Sequence, residues 1–339
     1  MRILNKIYEK AKNFIKEDYK FILLLIFLFL IFTVELPYVI YTPGGSIDLE
    51  KRIVIEDGYD SEGKLSMAYV TMVKGALPYI LVSKIIPNWD METKENITYD
   101  NESLKEMIKR DKIYLEEAIA NATINAYNKA GKTVNISKKF LHITFVTSEA
   151  DTNIKIEDIL LKADGVKISS LDEYREIVNA KKEGDTIKLT VLRDNKEKTS
   201  TAKIYNTEEG LRTGLAIVTT YEYETKPSIK VKSKNTESGP SGGLMLALGI
   251  YNALVPEDIT KGYNIIGTGT IDEDGNVGPI GGVKYKLIGA VRRHADVFIC
   301  PEENYEEALQ VKKNNKYRIK IIKAVTFEGT IEELSNLKI

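Results

Sequence analysis

A serine in a glycine-rich turn is the first feature of this sequence that could carry out chemistry. Ser241 lies in the stretch ESGPSGG at residues 237–243, and an apolar run typical of a helix follows directly at residues 244–254. Glycines around the serine predict a tight, exposed turn, and backbone N–H groups at a helix start can stabilise an oxyanion. The pattern predicts a serine nucleophile, whose hydroxyl needs a general base.

The general base is harder to identify from the residues. His142 precedes a strand-like run and His294 ends a helix-like run, so we interpret both histidines as structural. A lysine can serve if its pKa falls from about 10.4 to about 7–8, at a cost of roughly 3–5 kcal/mol of folding free energy. Lys284 and Lys286 both follow the stretch PIGG at residues 279–282. They flank the apolar side of the predicted helix on opposite sides, so spacing alone does not choose between them.

Composition argues against several other classes of function. The single cysteine, Cys300, lies in an apolar run and is interpreted as a small buried hydrophobe. With only two histidines, a histidine-based metal site is not expected. The 48 basic and 49 acidic residues give a net charge of -1, without the basic excess typical of nucleic-acid binding. We expect no metal, no cofactor and no nucleic-acid partner, in a folded chain of two domains with an additional element.

The elements that must position these residues follow from hydrophobic periodicity. Apolar residues recur at helical spacing from Leu104 and predict a long amphipathic helix that ends near Gly131. Upstream, Thr42–Ser46 predicts a turn, and residues 67–73 and 80–82 are strand-like. Five further runs alternate as strand, strand, helix, strand, strand: 140–146, 159–163, 171–180, 186–193 and 198–205. The predicted fold class is α/β (α+β) with several domains.

The N-terminus predicts a membrane anchor. Residues 21–34 are almost wholly apolar, and the stretch 21–41 reaches the length of a spanning helix, with tyrosines near both ends. Residues 1–20 carry a net charge of +3, which favours a cytoplasmic segment and an extracytoplasmic remainder. No small-residue cleavage site follows, so an uncleaved signal anchor is expected. Residues 42–136 would then form an extracytoplasmic region that contains the long helix.

Residues 137–206 resemble a bacterial PDZ domain. The resemblance rests on the stretch IEDILLKADG at residues 156–165, a helix after it, and GDTIKLTVLRD at residues 184–194. Glu157 stands where the first motif usually has glycine, and no clear glycine-rich carboxylate-binding loop is found. Such domains bind an extended peptide by adding it to a sheet edge.

Residues 207–339 resemble the proteolytic domain of the Lon protease family. Gly239–Gly243 match a Gly-Pro-Ser-small-Gly motif, Thr268 matches a Thr-Gly motif, and Lys286 matches the second lysine of Gly-Gly-x-Lys-x-Lys. The resemblance implies a Ser241–Lys286 catalytic dyad without a catalytic histidine or aspartate. It also implies that Thr268, Gly239, Pro240 and Gly242 support the site. Ser238 stands where many members have aspartate before the Gly-Pro-Ser motif.

The order of anchor, PDZ-like module and Lon-type domain is similar to the SepM/YlbL family of cell-surface proteases of Gram-positive bacteria. The sequence has no G-x-x-x-x-G-K-[ST] motif, so the phosphate-binding loop of an ATPase is missing. The resemblance implies ATP-independent cleavage of exported or unfolded polypeptides outside the membrane. The anchor would contact membrane lipid. The sequence does not decide whether the chain forms a homo-oligomer. Two alternatives remain: a catalytically weak PDZ-type peptide-binding scaffold, and an amidase or esterase that uses the same dyad.

Overall fold

A computed structural model describes residues 2–100 and 102–338, without the side chains of residues 2–7, 10, 11, 13 and 15. The side chains of Arg2, Lys6 and Lys10, which contribute to the predicted basic segment, therefore lie outside the described residues. The chain divides into two compact units. One comprises the chain up to Thr42 and Thr71–Ile97, and the other comprises Pro43–Val70 and the chain from Thr98 onwards.

The helices and strands are numbered here in chain order. The helices are α1 (Arg2–Thr33), α2 (Leu77–Ser83), α3 (Lys94–Ile97), α4 (Leu104–Lys129), α5 (Leu171–Asn179), α6 (Gly243–Leu254), α7 (Val283–Arg292), α8 (Glu302–Asn314) and α9 (Phe327–Ser335). The strands are β1 (Tyr38–Asp48), β2 (Ile53–Ile55), β3 (Lys64–Lys74), β4 (Asp90–Thr93), β5 (Thr133–Val146), β6 (Ile159–Ala163), β7 (Val166–Lys167), β8 (Thr186–Arg193), β9 (Lys196–Lys203), β10 (Tyr205–Thr207), β11 (Gly210–Arg212), β12 (Leu215–Lys226), β13 (Ile229–Val231), β14 (Asn264–Gly267), β15 (Thr270–Ile271), β16 (Val277–Gly278), β17 (Val297–Pro301) and β18 (Lys320–Ala324).

Helix α1 carries the apolar N-terminal stretch. Large apolar side chains from Phe21 to Val34 are mostly exposed to solvent. The prediction of one spanning segment over residues 21–41 is wrong at its C-terminal end, because the helix ends at Thr33 and Tyr38 already begins β1. Pro37 explains the break, since proline disfavours helical backbone at the residue before it. None of the helices in the described part of the chain combines the length and the apolarity that crossing a membrane requires.

Two local predictions in this part of the chain are also wrong. Residues 80–82 lie in helix α2 rather than in a strand, because Pro78 fits the first turn of a helix and Ala76 provides an extended N-cap. The stretch Thr42–Ser46 lies inside β1 rather than in a turn. Its glycine serves a close approach instead: a Cβ on Gly44 would lie 2.0 Å from the Tyr69 carbonyl oxygen.

The second unit contains the module predicted to be PDZ-like. Its sheet has the order β12-β5-β6-β8-β9, with the short β7 paired to β6. Helix α5, capped by the Ser170 side chain, contributes Tyr174 and Val178 to the core beneath the sheet. Strands β6 and β8 begin and end where the sequence predicted them. The sheet extends to Lys226, because β12 pairs with β5 along its whole length.

The unit also contains a parallel sheet, in which β14 pairs with β3 and β17, and β17 pairs with β18. Alternate residues of β17 serve two cores. Val297 and Ile299 face a core shared with α4, α6 and α9, whereas Phe298 and Cys300 face a core shared with α7 and α8. Helices therefore cover both faces, and α6 and α7 meet the sheet from opposite sides.

Helix α4 confirms the predicted long helix. A capping box of Ser103 and Glu106 starts it, and Ala122, Ala126 and Tyr127 pack into the core that α6 also enters. The helix lies beside the serine turn, because the Asp111 carbonyl accepts a 2.8 Å hydrogen bond from the Gly239 N–H. The long helix therefore helps to hold the turn that carries Ser241.

Candidate active site

The turn that carries Ser241 has the tight geometry that its glycines predict. Gly239 adopts a φ of +87°, which favours glycine, and α6 begins two residues after the serine at Gly243. A Cβ on Gly242 would lie 2.7 Å from Met67 Sδ, so a side chain there would displace the turn. Ser241 is half-buried. No hydrogen bond joins the N–H of Ser241 or Gly242 to another described residue, so both are candidate donors to an oxyanion.

Lys286 lies on the first turns of α7 and is almost completely buried, with 3% of its surface exposed. Its Nζ donates a 3.1 Å hydrogen bond to Thr268 Oγ1. Burial lowers the pKa of Lys286 from 10.5 to about 7, because the charged ammonium loses its hydration. A substantial fraction of this lysine is therefore neutral near pH 7, which is what a general base requires.

Thr268 joins the serine turn to the lysine. It is fully buried at the end of β14, where its N–H donates to the Ile299 carbonyl of β17. Its hydroxyl accepts from Lys286 Nζ and donates a 2.9 Å hydrogen bond to the Ser241 carbonyl. The Gly269 N–H donates to the same carbonyl at 2.8 Å. The structure therefore brings Ser241, Thr268 and Lys286 together around one hydroxyl group.

The other lysine is placed differently. Lys284 is half-buried, and its Nζ lies 5.4 Å from the centre of the Tyr285 ring. Two residues along a helix correspond to about 200° of rotation, so Lys284 and Lys286 leave α7 on different sides. Only Lys286 is held on the threonine that also contacts the serine turn.

The remaining chemically active side chains lie elsewhere. Among the described residues, no hydrogen bond joins His142 or His294 to Ser241 or Lys286. His142 lies on β5, where burial lowers its pKa, and His294 follows α7 with a φ of +56°. Cys300 is buried within β17, where burial raises the pKa of its thiol to about 12. In the part of the chain that the structure describes, no cluster of histidine, cysteine or acidic residues could hold a metal ion.

A cleft of about 460 Å³ opens beside the serine turn. Pro240, the neighbour of Ser241, lines it together with Thr270, two residues after Thr268. Glu117 and Asn121 of α4 and Glu273 also line it, and sequence reasoning did not single them out. The only signal for Glu117 and Asn121 was their spacing of one turn on a helix whose intervening residues Ala118 and Ala120 are buried.

Comparison with known proteins agrees with this architecture. Residues 126–204 match the PDZ domain family, and residues 227–336 match the Lon protease (S16) C-terminal proteolytic domain. Curated relatives are Lon proteases. That of Geobacter metallireducens is 27% identical over 95 residues, or 28% of this chain and 11% of that protein. The Lon protease of Rhizobium meliloti is 35% identical over 86 residues, which are 25% of this chain and 10% of that protein. The chain thus spans about a tenth of the length of these relatives.

Solved structures similar to part of this chain include two PDZ domains. The PDZ domain of an SdrC-like protein from Listeria monocytogenes is 20% identical, with a TM-score of 0.23, and the match covers 25% of this chain and 93% of that one. The corresponding domain from Listeria innocua is 21% identical, with a TM-score of 0.22, over 23% of this chain and 92% of that one.

Proposed function

We propose that this chain is an ATP-independent serine endopeptidase. The premise is that it belongs with the proteases that join a PDZ domain to a Lon-type (S16) proteolytic domain. Ser241 is the nucleophile and Lys286 is its general base. The observation that carries the proposal is the buried lysine, held on the Thr268 hydroxyl that also binds the serine turn. A buried amine with a pKa near 7 costs stability, and such perturbed groups concentrate at functional sites.

The proposed mechanism follows from these groups. Neutral Lys286 accepts the proton of Ser241 Oγ as the oxygen attacks the carbonyl carbon of the scissile peptide bond. The N–H groups of Ser241 and Gly242 stabilise the oxyanion that forms. The lysine ammonium then gives its proton to the leaving amine, and the C–N bond breaks. Water, deprotonated by the same lysine, hydrolyses the resulting ester and releases Ser241.

Unfolded polypeptide is the proposed substrate, and its cleavage should not depend on a nucleotide. We expect the purified chain to cleave reduced, carboxymethylated casein at a rate that added ATP and Mg²⁺ leave unchanged, because the sequence lacks the phosphate-binding loop. Peptide release followed by fluorescence measures this rate. Nucleotide stimulation severalfold above the basal rate of the pure protein would contradict the prediction. Absence of any cleavage would favour the scaffold alternative, and turnover of esters alone would favour an esterase.

We propose further that the N-terminal segment holds the chain at a membrane, with the catalytic domain outside the cytoplasm. The support is the run of mostly exposed apolar side chains from Phe21 to Val34, which follows lysine-rich sequence. In a bacterial host, the full chain is expected in the membrane fraction, and protease added to intact cells is expected to digest residues 60–339. A chain that lacks residues 1–34 is the control, and it should leave the membrane fraction and appear in the soluble fraction. Protection of residues 60–339 until the cells are lysed would contradict this orientation.

A further inference from the structure

The cleft beside Ser241 is acidic. Its lining includes Glu117 of α4 and the pair Asp272 and Glu273 from the loop between β15 and β16, and none of the described residues that line it is basic. Apolar side chains line much of the rest of the cleft: Ala118, Leu171, Ile217, Val218, Ile271 and Val277. The cleft therefore combines apolar walls with a negative charge, next to the bond that Ser241 would attack.

The three carboxylates differ in what already binds them. Asp272 is occupied, because its oxygens accept hydrogen bonds from the N–H groups of Asp274 and Asn276 and from the Asn276 amide. Glu273 accepts a single 2.8 Å hydrogen bond from the Tyr221 hydroxyl. No described residue donates to Glu117. Two carboxylates thus retain acceptor capacity within the cleft.

The ionisation of Glu117 is disfavoured where it lies. Burial first, and then the charge of Glu273, raises the pKa of Glu117 from 4.5 to about 7. Lys139, whose Nζ lies 5.7 Å from the centre of the Tyr221 ring, does not line the cleft. A positive charge placed in the cleft would relieve this repulsion.

A buried amide provides a second, independent indication of a ligand. Asn121 lies one helical turn after Glu117, lines the same cleft and is only 5% exposed. Its Nδ2 donates to the Ile271 carbonyl at 3.2 Å, but its Oδ1 has no hydrogen-bond partner. Buried polar atoms normally have a hydrogen-bond partner, so this unpaired acceptor indicates that a ligand supplies the donor. The orphaned Asn121 Oδ1 is therefore an acceptor, as are the oxygens of the two glutamates.

We propose that this cleft binds a lysine or arginine side chain of the polypeptide substrate, and so sets the sequence preference of cleavage; the inference rests on the proposed peptidase function. The aliphatic stem of the basic residue packs on the apolar walls, as long charged side chains do. Its charged head donates hydrogen bonds to Glu117, Glu273 and Asn121 Oδ1. Pro240 lines the cleft and adjoins Ser241, so the bound side chain belongs to the segment that is cut.

The test compares two peptides that differ in one side chain. Mass spectrometry of a casein digest first identifies the position at which basic residues are enriched. Two fluorogenic peptides then carry lysine or norleucine, a close apolar match, at that position. We expect kcat/KM for the lysine peptide to be larger by about tenfold, as for a charge-assisted hydrogen bond. The double variant Glu117→Gln/Glu273→Gln is expected to bring the ratio close to one.

Glu116→Gln is the matched control. Glu116 neighbours Glu117 on α4 but does not line the cleft, so this variant should keep the lysine preference. Each ratio comes from one protein preparation, so partial loss of folded protein does not affect it. If the double variant does not fold, Glu273→Gln alone, in an exposed loop, should still lower the ratio.

Two outcomes would overturn the inference: no lysine preference in the unaltered protein, or a preference that survives in the double variant. Failure of the proposed function is distinguished from these, since it means that neither peptide is cut. In that case, fluorescence anisotropy with the uncleaved peptides still tests the cleft. Tighter binding of the lysine peptide, lost on Glu117→Gln/Glu273→Gln, supports the inference, and equal binding of both peptides refutes it.

Discussion

Replacing Ser241 with alanine is expected to lower the rate of peptide cleavage by about 10⁴-fold or more, because no acyl-enzyme can form without the hydroxyl. The fold should persist, since the contacts of this residue to Thr268 and Gly269 run through its backbone carbonyl. Initial rates on a fluorogenic peptide measure the loss, and the thermal midpoint of unfolding shows that the protein is intact.

Ser238→Ala is the control for this prediction. Ser238 is an exposed serine in the same turn, without a described hydrogen bond to the site, so its removal should leave cleavage unchanged. A fluorophosphonate probe should label the unaltered protein and the Ser238→Ala variant but not the Ser241→Ala variant. Cleavage by Ser241→Ala at the rate of the unaltered protein would mean that another nucleophile performs the reaction.

Replacing Lys286 is expected to lower the rate of peptide cleavage about as much as replacing Ser241. It is also expected to change the stability of the fold. Lys286→Met removes the base, and Lys286→Arg places a group there that stays protonated at any usable pH, so both should be inactive. In the unaltered protein, the rate should rise as pH increases through about 7, where the lysine loses its proton. Lys284→Met is the matched control and should keep both the rate and its pH profile.

The stability effect has a definite sign. The folded-state pKa of Lys286 is about 7 and the ordinary value is 10.5, so between these pH values the unfolded chain binds the extra proton. Stability from this group therefore rises with pH across that window, and the full penalty is present below pH 7. At 1.36 kcal/mol per pKa unit, the penalty reaches roughly 5 kcal/mol as an upper bound. Lys286→Met should accordingly raise the free energy of unfolding, most clearly at pH 6.

Denaturant unfolding of the Lys286→Met and Lys284→Met variants at pH 6 and pH 9 measures this difference. The gain for Lys286→Met should shrink between pH 6 and pH 9, whereas Lys284→Met should show no such trend. An inactive Lys284→Met beside an active Lys286→Met would mean that the wrong lysine has been assigned. Full activity in both variants would exclude a lysine base altogether.

Much of the site was readable from the sequence because it depends on local rules. These rules concern only a few residues at a time. They are the glycines that permit a tight turn, the apolar run after Ser241 and the strands of alternating burial. The choice between Lys284 and Lys286 did not follow from spacing, because both leave the same helix. It becomes visible only when the parallel sheet places Thr268 beneath Lys286.

The errors share a physical cause, since tertiary contacts overrode local preferences. Gly44 looked like part of a turn, but it allows two backbones to approach inside a sheet. Glu117 and Asn121 drew no attention, because a polar residue on a helix is ordinarily solvated, and only folding places them in a cleft.

The hydrogen bond from the Gly239 N–H to the Asp111 carbonyl has a metric consequence. It fixes the nucleophile turn to α4 at one point, and the same rigid helix carries Glu117 and Asn121 one and a half to three turns further along. The separation between the serine turn and the Glu117 carboxylate is therefore set by helix pitch. A substrate held at the serine turn and at Glu117 would be cut at a constant number of residues from its basic side chain. Helix α4 would then set that number.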